Sequence, residues 1–134
     1  MTDRKGIEMQ VTAIMLGVRD LARSKAFYEG LGCTLDQDHP SFVSFNLGDG
    51  SSSLALYPWD AAAQDAGVSP EGSGFGGVSF HSIVQSSEAV DEVMGKAAAA
   101  GGEIVKAAEV AQWGGYFGYF GDPDGHLWKV ASPS

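Results

Sequence analysis

The sequence predicts an α+β chain made of two βαβββ modules, and two observations carry that reading. The run from Trp113 to Val130, WGGYFGYFGDPDGHLWKV, ends in an Asp-Pro-Asp-Gly turn followed by an alternating strand. Pro123 presets φ at the first corner, Asp122 can bond its own backbone, and Gly125 takes the positive φ that closes the reversal, so a hairpin is expected there. The second observation is order: strand, helix and strands from Val11 to Tyr57 recur from Gly77 to Ala131, with Val18 matching Val84 and the Asp49-Gly50 turn matching Asp124-Gly125.

In the first module, residues 11–18 alternate as a strand, and Asp20 is placed to cap a helix running to about Gly30. Ala26, Phe27 and Leu31 give this helix an apolar face, and Gly30 and Gly32 end it. Phe42–Leu47 and Ser53–Tyr57 form a hairpin about Gly48-Asp49-Gly50, and Thr34–Asp36 supplies a further strand if the module is complete. A connector follows, rich in Ala, Gly, Ser and Pro, with a short helix at Asp60–Ala66. In the second module, Gly77–Val84 is a strand and Ser86 or Ser87 caps a helix. Glu88, Asp91 and Glu92 load its first turn, Val90, Val93, Met94 and Ala97 make its buried stripe, and Gly101-Gly102 stop it. Strands near Glu103–Val105, Tyr116–Phe120 and His126–Ala131 complete the set. The expected boundaries are about 11–58, 59–73 and 74–132 within one domain of 134 residues.

Composition excludes several classes. Hydrophobic residues make up 44% and charged residues 19%, as in folded globular chains rather than disordered ones. A net charge of −9 repels phosphate backbones and anionic membrane surfaces, so neither nucleic acid nor membrane is an expected partner. No apolar leader or spanning segment is visible, and the single cysteine, Cys33, forms no internal disulfide; a reducing cytoplasm is the expected location.

The DPDG turn with its following strand, together with VTAIMLGVRD and LARSKAFYEGLGCTL at the front, resembles the vicinal-oxygen-chelate superfamily. That group includes glyoxalase I, bleomycin-resistance proteins and extradiol dioxygenases, and the resemblance covers about Val11 to Ala131. It implies paired βαβββ modules whose sheets curve around one cleft, and a homodimer. Strand parity then assigns Ala13, Met15 and Gly17, Ala55 and Tyr57, Ser79, His81 and Ile83, and Leu127 and Lys129 to the cleft, with Ile14, Leu16 and Val18 under the helix. Metal-using members hold a divalent ion through a side chain from the first and last strand of each module. Onto those positions this sequence puts Ala13, Ala55, Ser79 and Lys129, so no metal and no other cofactor is expected. A side-chain cation, Lys129, in effect replaces the metal.

The remaining candidates keep alternatives open. His39 and His126 read as exposed turn residues. His81 is a ligand contact, a general base, a neutral histidine bonded to a backbone carbonyl, or a metal ligand. Cys33 reads as core, and the glycine-rich stretches 74–77 and 114–116 lack the strand-to-helix context of a phosphate loop. Trp59 and Trp113 stack on a ligand or close a dimer seam. The expected function is metal-free binding of a small aromatic or amphipathic molecule, as in the bleomycin-resistance branch. Met15, Tyr57, Trp59, Ser79, His81, Trp113, Tyr119 and Lys129 are the expected contacts. The alternatives are a glyoxalase-like lyase using His81 and Lys129, with Tyr119 nearby, and a protein-interaction module.

Overall fold

A computed structural model describes residues 11–66, 69–72, 78–112 and 114–133, so Trp113 and the Gly74–Gly77 stretch lie outside the described residues. Strand β1 (Ala13–Val18), helix α1 (Leu21–Leu31) and strands β2 (Thr34–His39), β3 (Phe42–Asn46) and β4 (Ser53–Pro58) are followed by α2 (Trp59–Ala66). Then come β5 (Ser79–Ile83), α3 (Ser87–Ala99), β6 (Glu103–Val110), β7 (Tyr116–Gly121) and β8 (Leu127–Ser132). The strands form two four-stranded sheets, ordered β1-β4-β3-β2 and β5-β8-β7-β6. In each, the first strand pairs parallel with the last and the others run antiparallel, so the expected βαβββ order is present twice.

Local chemistry places the elements. Asp20 caps α1 by accepting from the Arg23 N–H at 3.0 Å, and Gly32, at φ 111°, ends it with a backbone that L-residues rarely adopt. Gly30 lies inside α1 rather than terminating it, and Ala26 is exposed; the buried positions are Ser24, Phe27 and Tyr28. Their spacing of three and four residues meets the core, which an apolar count alone misses because Ser24 and Tyr28 are polar. Ser86 caps α3 through the Ala89 N–H, and Val90, Met94 and Ala97 are its buried stripe, with Val93 half-buried. Only Glu88 occupies the first turn of α3. Asp91 instead accepts from the Tyr116 hydroxyl, and Glu92 meets Lys96 one turn on. β6 continues five residues past the expected stretch, because its pairing with β7 survives two register shifts.

One core joins the two halves. Leu16, Val18, Phe45, Leu54 and Leu56 from the first sheet, Phe27 and Tyr28 from α1, and Val90, Met94, Phe120 and Val130 from the second half form a single buried cluster. The expected parity holds: Leu16 and Val18 are buried, while Ala13 and Met15 are exposed on the other face.

The DPDG turn locks the halves together. Asp122, 3% exposed, accepts from the backbone N–H of Asp124 and His126 and from the Tyr28 hydroxyl at 2.8 Å. Asp124 accepts from the Arg19 backbone N–H at 2.8 Å and the Ser24 hydroxyl at 3.0 Å, with Arg23 at 3.4 Å. His126 is not the exposed turn residue its position suggests. It is half-buried, its Nε2 donates to the Gly17 carbonyl at 2.8 Å, and its ring stacks on Trp59. The motif is therefore a clasp, with carboxylates placed where helix α1 and the start of β1's following loop offer donors.

Candidate functional site

The register of the second sheet brings together residues far apart in sequence. His81 of β5 is opposite Lys129 of β8, Lys129 is opposite Tyr119 of β7, and Tyr119 is opposite Lys106 of β6. Cross-strand partners share a face, and Phe117 joins them two residues before Tyr119. The Lys129 Nζ lies 4.9 Å from the centre of the Phe117 ring and 5.9 Å from that of Tyr119, and the Lys106 Nζ is also 4.9 Å from Phe117. The two rings meet edge to face at 6.2 Å. His81 is exposed, while Phe117, Tyr119 and Lys129 are half-buried. The opposite face of the sheet carries Phe80, Trp128, Phe120 and Val130 toward the core.

Counting along paired strands gives each of these residues a counterpart in the first module. Met15 is opposite Ala55 as His81 is opposite Lys129, and Ser44 is opposite Ala55 as Tyr119 is opposite Lys129. Phe42, two residues before Ser44, matches Phe117 and contacts Tyr57 at 6.3 Å between ring centres. The repeated frame is thus furnished unequally. One face presents an imidazole, an ammonium and a phenol, the other a thioether, a methyl and a hydroxyl. Ser44 Oγ is buried and meets no hydrogen-bond partner among the described residues.

The other expected contacts are dispersed. β1 and β5 are the inner edges of the two sheets and are not paired to each other. A cavity of about 810 Å³ opens beside them, with Ile14, Cys33, Ser79, Phe80, His81 and Trp128 among its lining residues. There the Ser79 hydroxyl lies 3.1 Å from His81 Nε2. Desolvation raises the Cys33 thiol pKa, so its reactive thiolate is scarce at neutral pH. Met15 and Trp59 line a smaller cavity of about 450 Å³ beside His126. Trp59 is held by three partners: Nε1 donates to the Pro70 carbonyl at 2.7 Å, the ring stacks on His126, and the Arg19 guanidinium lies 4.1 Å above it. Tyr57, Tyr119 and Lys129 line neither cavity. Lys106 escaped the sequence reading, and Phe117 was not among its expected contacts. Phe117 was visible as an aromatic beside Tyr119, but Lys106 sits beyond a register shift that parity does not follow.

The first-and-last-strand positions do not fit a divalent ion. Ala13 and Ala55 offer methyl groups, Ser79 a neutral hydroxyl already on His81, and Lys129 an ammonium. No group of three or more His, Cys, Asp or Glu side chains converges among the described residues.

Comparison with known proteins agrees with this architecture. The family model of the Glyoxalase/Bleomycin resistance protein/Dioxygenase superfamily matches residues 10–130. A glyoxalase-related enzyme from Fulvimarina pelagi is 32% identical, with a TM-score of 0.83 over 93% of this chain and 88% of its own. A hypothetical protein from S. aureus is 26% identical, with a TM-score of 0.81 over 95% of each chain. Lactoylglutathione lyase from Agrobacterium tumefaciens, at 18% identity and a TM-score of 0.66, covers 93% of this chain and 94% of its own and shares the fold. No functionally curated protein matches. With the family model spanning nearly the whole chain, and with both βαβββ sheets in place, the protein belongs to the glyoxalase/bleomycin resistance protein/dioxygenase superfamily.

Proposed function

We propose that the protein binds a small aromatic or amphipathic molecule without a divalent ion, in the manner of the bleomycin-resistance branch of its superfamily. The carrying observation is the His81–Lys129–Tyr119 row, laid side by side by strand register and floored by Phe117. Half-buried rings give a flat ligand area to cover, and the imidazole and ammonium at one end orient it. Metal-free binding is supported by the donor chemistry: nothing at Ala13, Ala55, Ser79 or Lys129 outcompetes water for a cation.

Ligand-observed NMR with neutral aromatics such as 2-naphthamide and indole tests the reading. Saturation transfer is expected from the wild type and is expected to weaken severalfold in Tyr119→Ala, the paired ring having lost its area. Transfer that is unchanged in Tyr119→Ala and in Phe117→Ala would move the site off this face.

A second reading, a glyoxalase-like lyase, is favoured by the same pair. His81, with Ser79 on Nε2, offers a base, and Lys129 beside it offers a cation for an enolate-like oxygen. Turnover of a 2-oxoaldehyde hemithioacetal that is lost in both His81→Ala and Lys129→Met, with ligand binding retained, would select it.

A further inference from the structure

Lys129 departs from the charge pattern of the rest of the molecule. The chain carries 17 acidic against 8 basic residues, so carboxylate partners are plentiful. Arg23, Lys25, Lys96 and Lys106 each reach one, at 3.4, 2.7, 3.8 and 3.2 Å. Arg19 and Lys129 rest on aromatic rings instead. Arg19 does so at the clasp, where its backbone N–H is bound by Asp124. Lys129 does so at the centre of the open sheet face, half-buried, with no carboxylate within ion-pair distance among the described residues.

Lys129 is half-buried as a residue, its Nζ lies over aromatic rings, and a ring face attracts a cation less than a carboxylate does. Lys106 approaches the same Phe117 ring from β6 while its own charge is engaged by Glu109 at 3.2 Å. Among the described residues, the face therefore offers one cation without a carboxylate partner, a neighbouring imidazole and two rings set edge to face. The equivalent positions of the first module, Met15, Ala55 and Ser44, carry no charge, and Ala55 and Ser44 are buried.

Resting on the small-molecule-binding reading above, we propose that the ligand is an aromatic anion, one per chain. Its carboxylate or phenolate-type oxygen sits on Lys129 Nζ with His81 beside it, and its ring packs against Tyr119, which meets Phe117 edge to face. The local cation outweighs the distant acidic surface because a charge at contact range is screened less than charge a Debye length away. Charge-assisted pairing also sets the orientation of the ring, with the anionic edge toward β5 and β8.

Calorimetry with three matched compounds, 2-naphthoate, 2-naphthamide and 2-naphthylmethylammonium, tests this in the wild type, Lys129→Met and Lys129→Arg. The wild type is expected to bind one naphthoate per chain, about tenfold more tightly than the amide, and the ammonium compound most weakly. Lys129→Met should bind naphthoate and naphthamide alike, and Lys129→Arg should restore the preference. Near-UV circular dichroism confirms that each variant is folded. Equal affinity for naphthoate and naphthamide in the wild type overturns the anion assignment while leaving aromatic binding in place. A preference that survives in Lys129→Met overturns the role of Lys129. Failure of all three compounds to bind takes down the small-molecule reading itself.

Discussion

Tyr28 has no exposed surface, and its hydroxyl joins two groups: it donates to Asp122 and accepts from Trp128 Nε1 at 3.2 Å. Burial first, and then the Asp122 charge, push its pKa well above the usual phenol value. Folding thus favours the protonated form. The stabilisation is complete below the unfolded value of about 10 and is lost as pH climbs toward the folded one. Tyr28→Phe is expected to cost about 1–3 kcal/mol at neutral pH, since Asp122 loses a buried donor, and to flatten the alkaline loss of stability. Urea midpoints measured from neutral pH to about pH 11 check both expectations. Ser44 makes the opposite case. Its buried hydroxyl has no partner among the described residues, so Ser44→Ala should be neutral or stabilising by up to about 1 kcal/mol. A loss beyond that, in the same denaturation experiment, would mean that the hydroxyl is satisfied in solution.

Element packing depends on a few close approaches. A Cβ at Gly118 would stand 2.8 Å from Met94 Cε, 3.1 Å from the Lys106 carbonyl and 3.2 Å from Ala108 Cα. The methionine end can swing away, but the β6 backbone cannot, so β7 lies against α3 and β6 only with glycine at this point. Gly118→Ala should cost about 1–3 kcal/mol and lower the melting temperature accordingly. The Asp124 clasp is the corresponding electrostatic joint. Removing the carboxylate in Asp124→Ala leaves the Arg19 N–H and the Ser24 hydroxyl without their acceptor and should cost about 2–4 kcal/mol, checked by the same melts. A loss below about 0.5 kcal/mol would mean that core packing and the Tyr28–Asp122 and His126–Gly17 hydrogen bonds hold the two halves without Asp124.

For the molecule as a whole, charge and metal are linked. With Ala13, Ala55, Ser79 and Lys129 on the first and last strands of the two sheets offering no good ligand, purified protein should carry no stoichiometric divalent ion after dialysis, as measured by elemental analysis. A full equivalent of zinc, nickel or iron would point to His81 with an acidic partner outside the described residues. No helix among the described residues is long and apolar enough to cross a membrane.

Strand parity, helix caps and turn chemistry are local, and they were legible: the βαβββ order, the Asp20 and Ser86 caps and the burial of Leu16 and Val18 all follow from residues within a few positions of one another. Parity also put His81 and Lys129 on one face, because a period of two carries along each strand until a bulge intervenes. Three features required the tertiary structure. His126 looked like a turn residue, yet it reaches Gly17 across the joint between halves, a contact between positions 109 apart in the chain. Asp122 and Asp124 looked like turn formers, yet Asp122 also accepts from Tyr28 and Asp124 from Ser24, both on α1. The register shifts in β6 decided that Lys106 joins Phe117 and Lys129. In each case the partner is fixed by how the two sheets close on α1 and α3, a relation that no local period encodes.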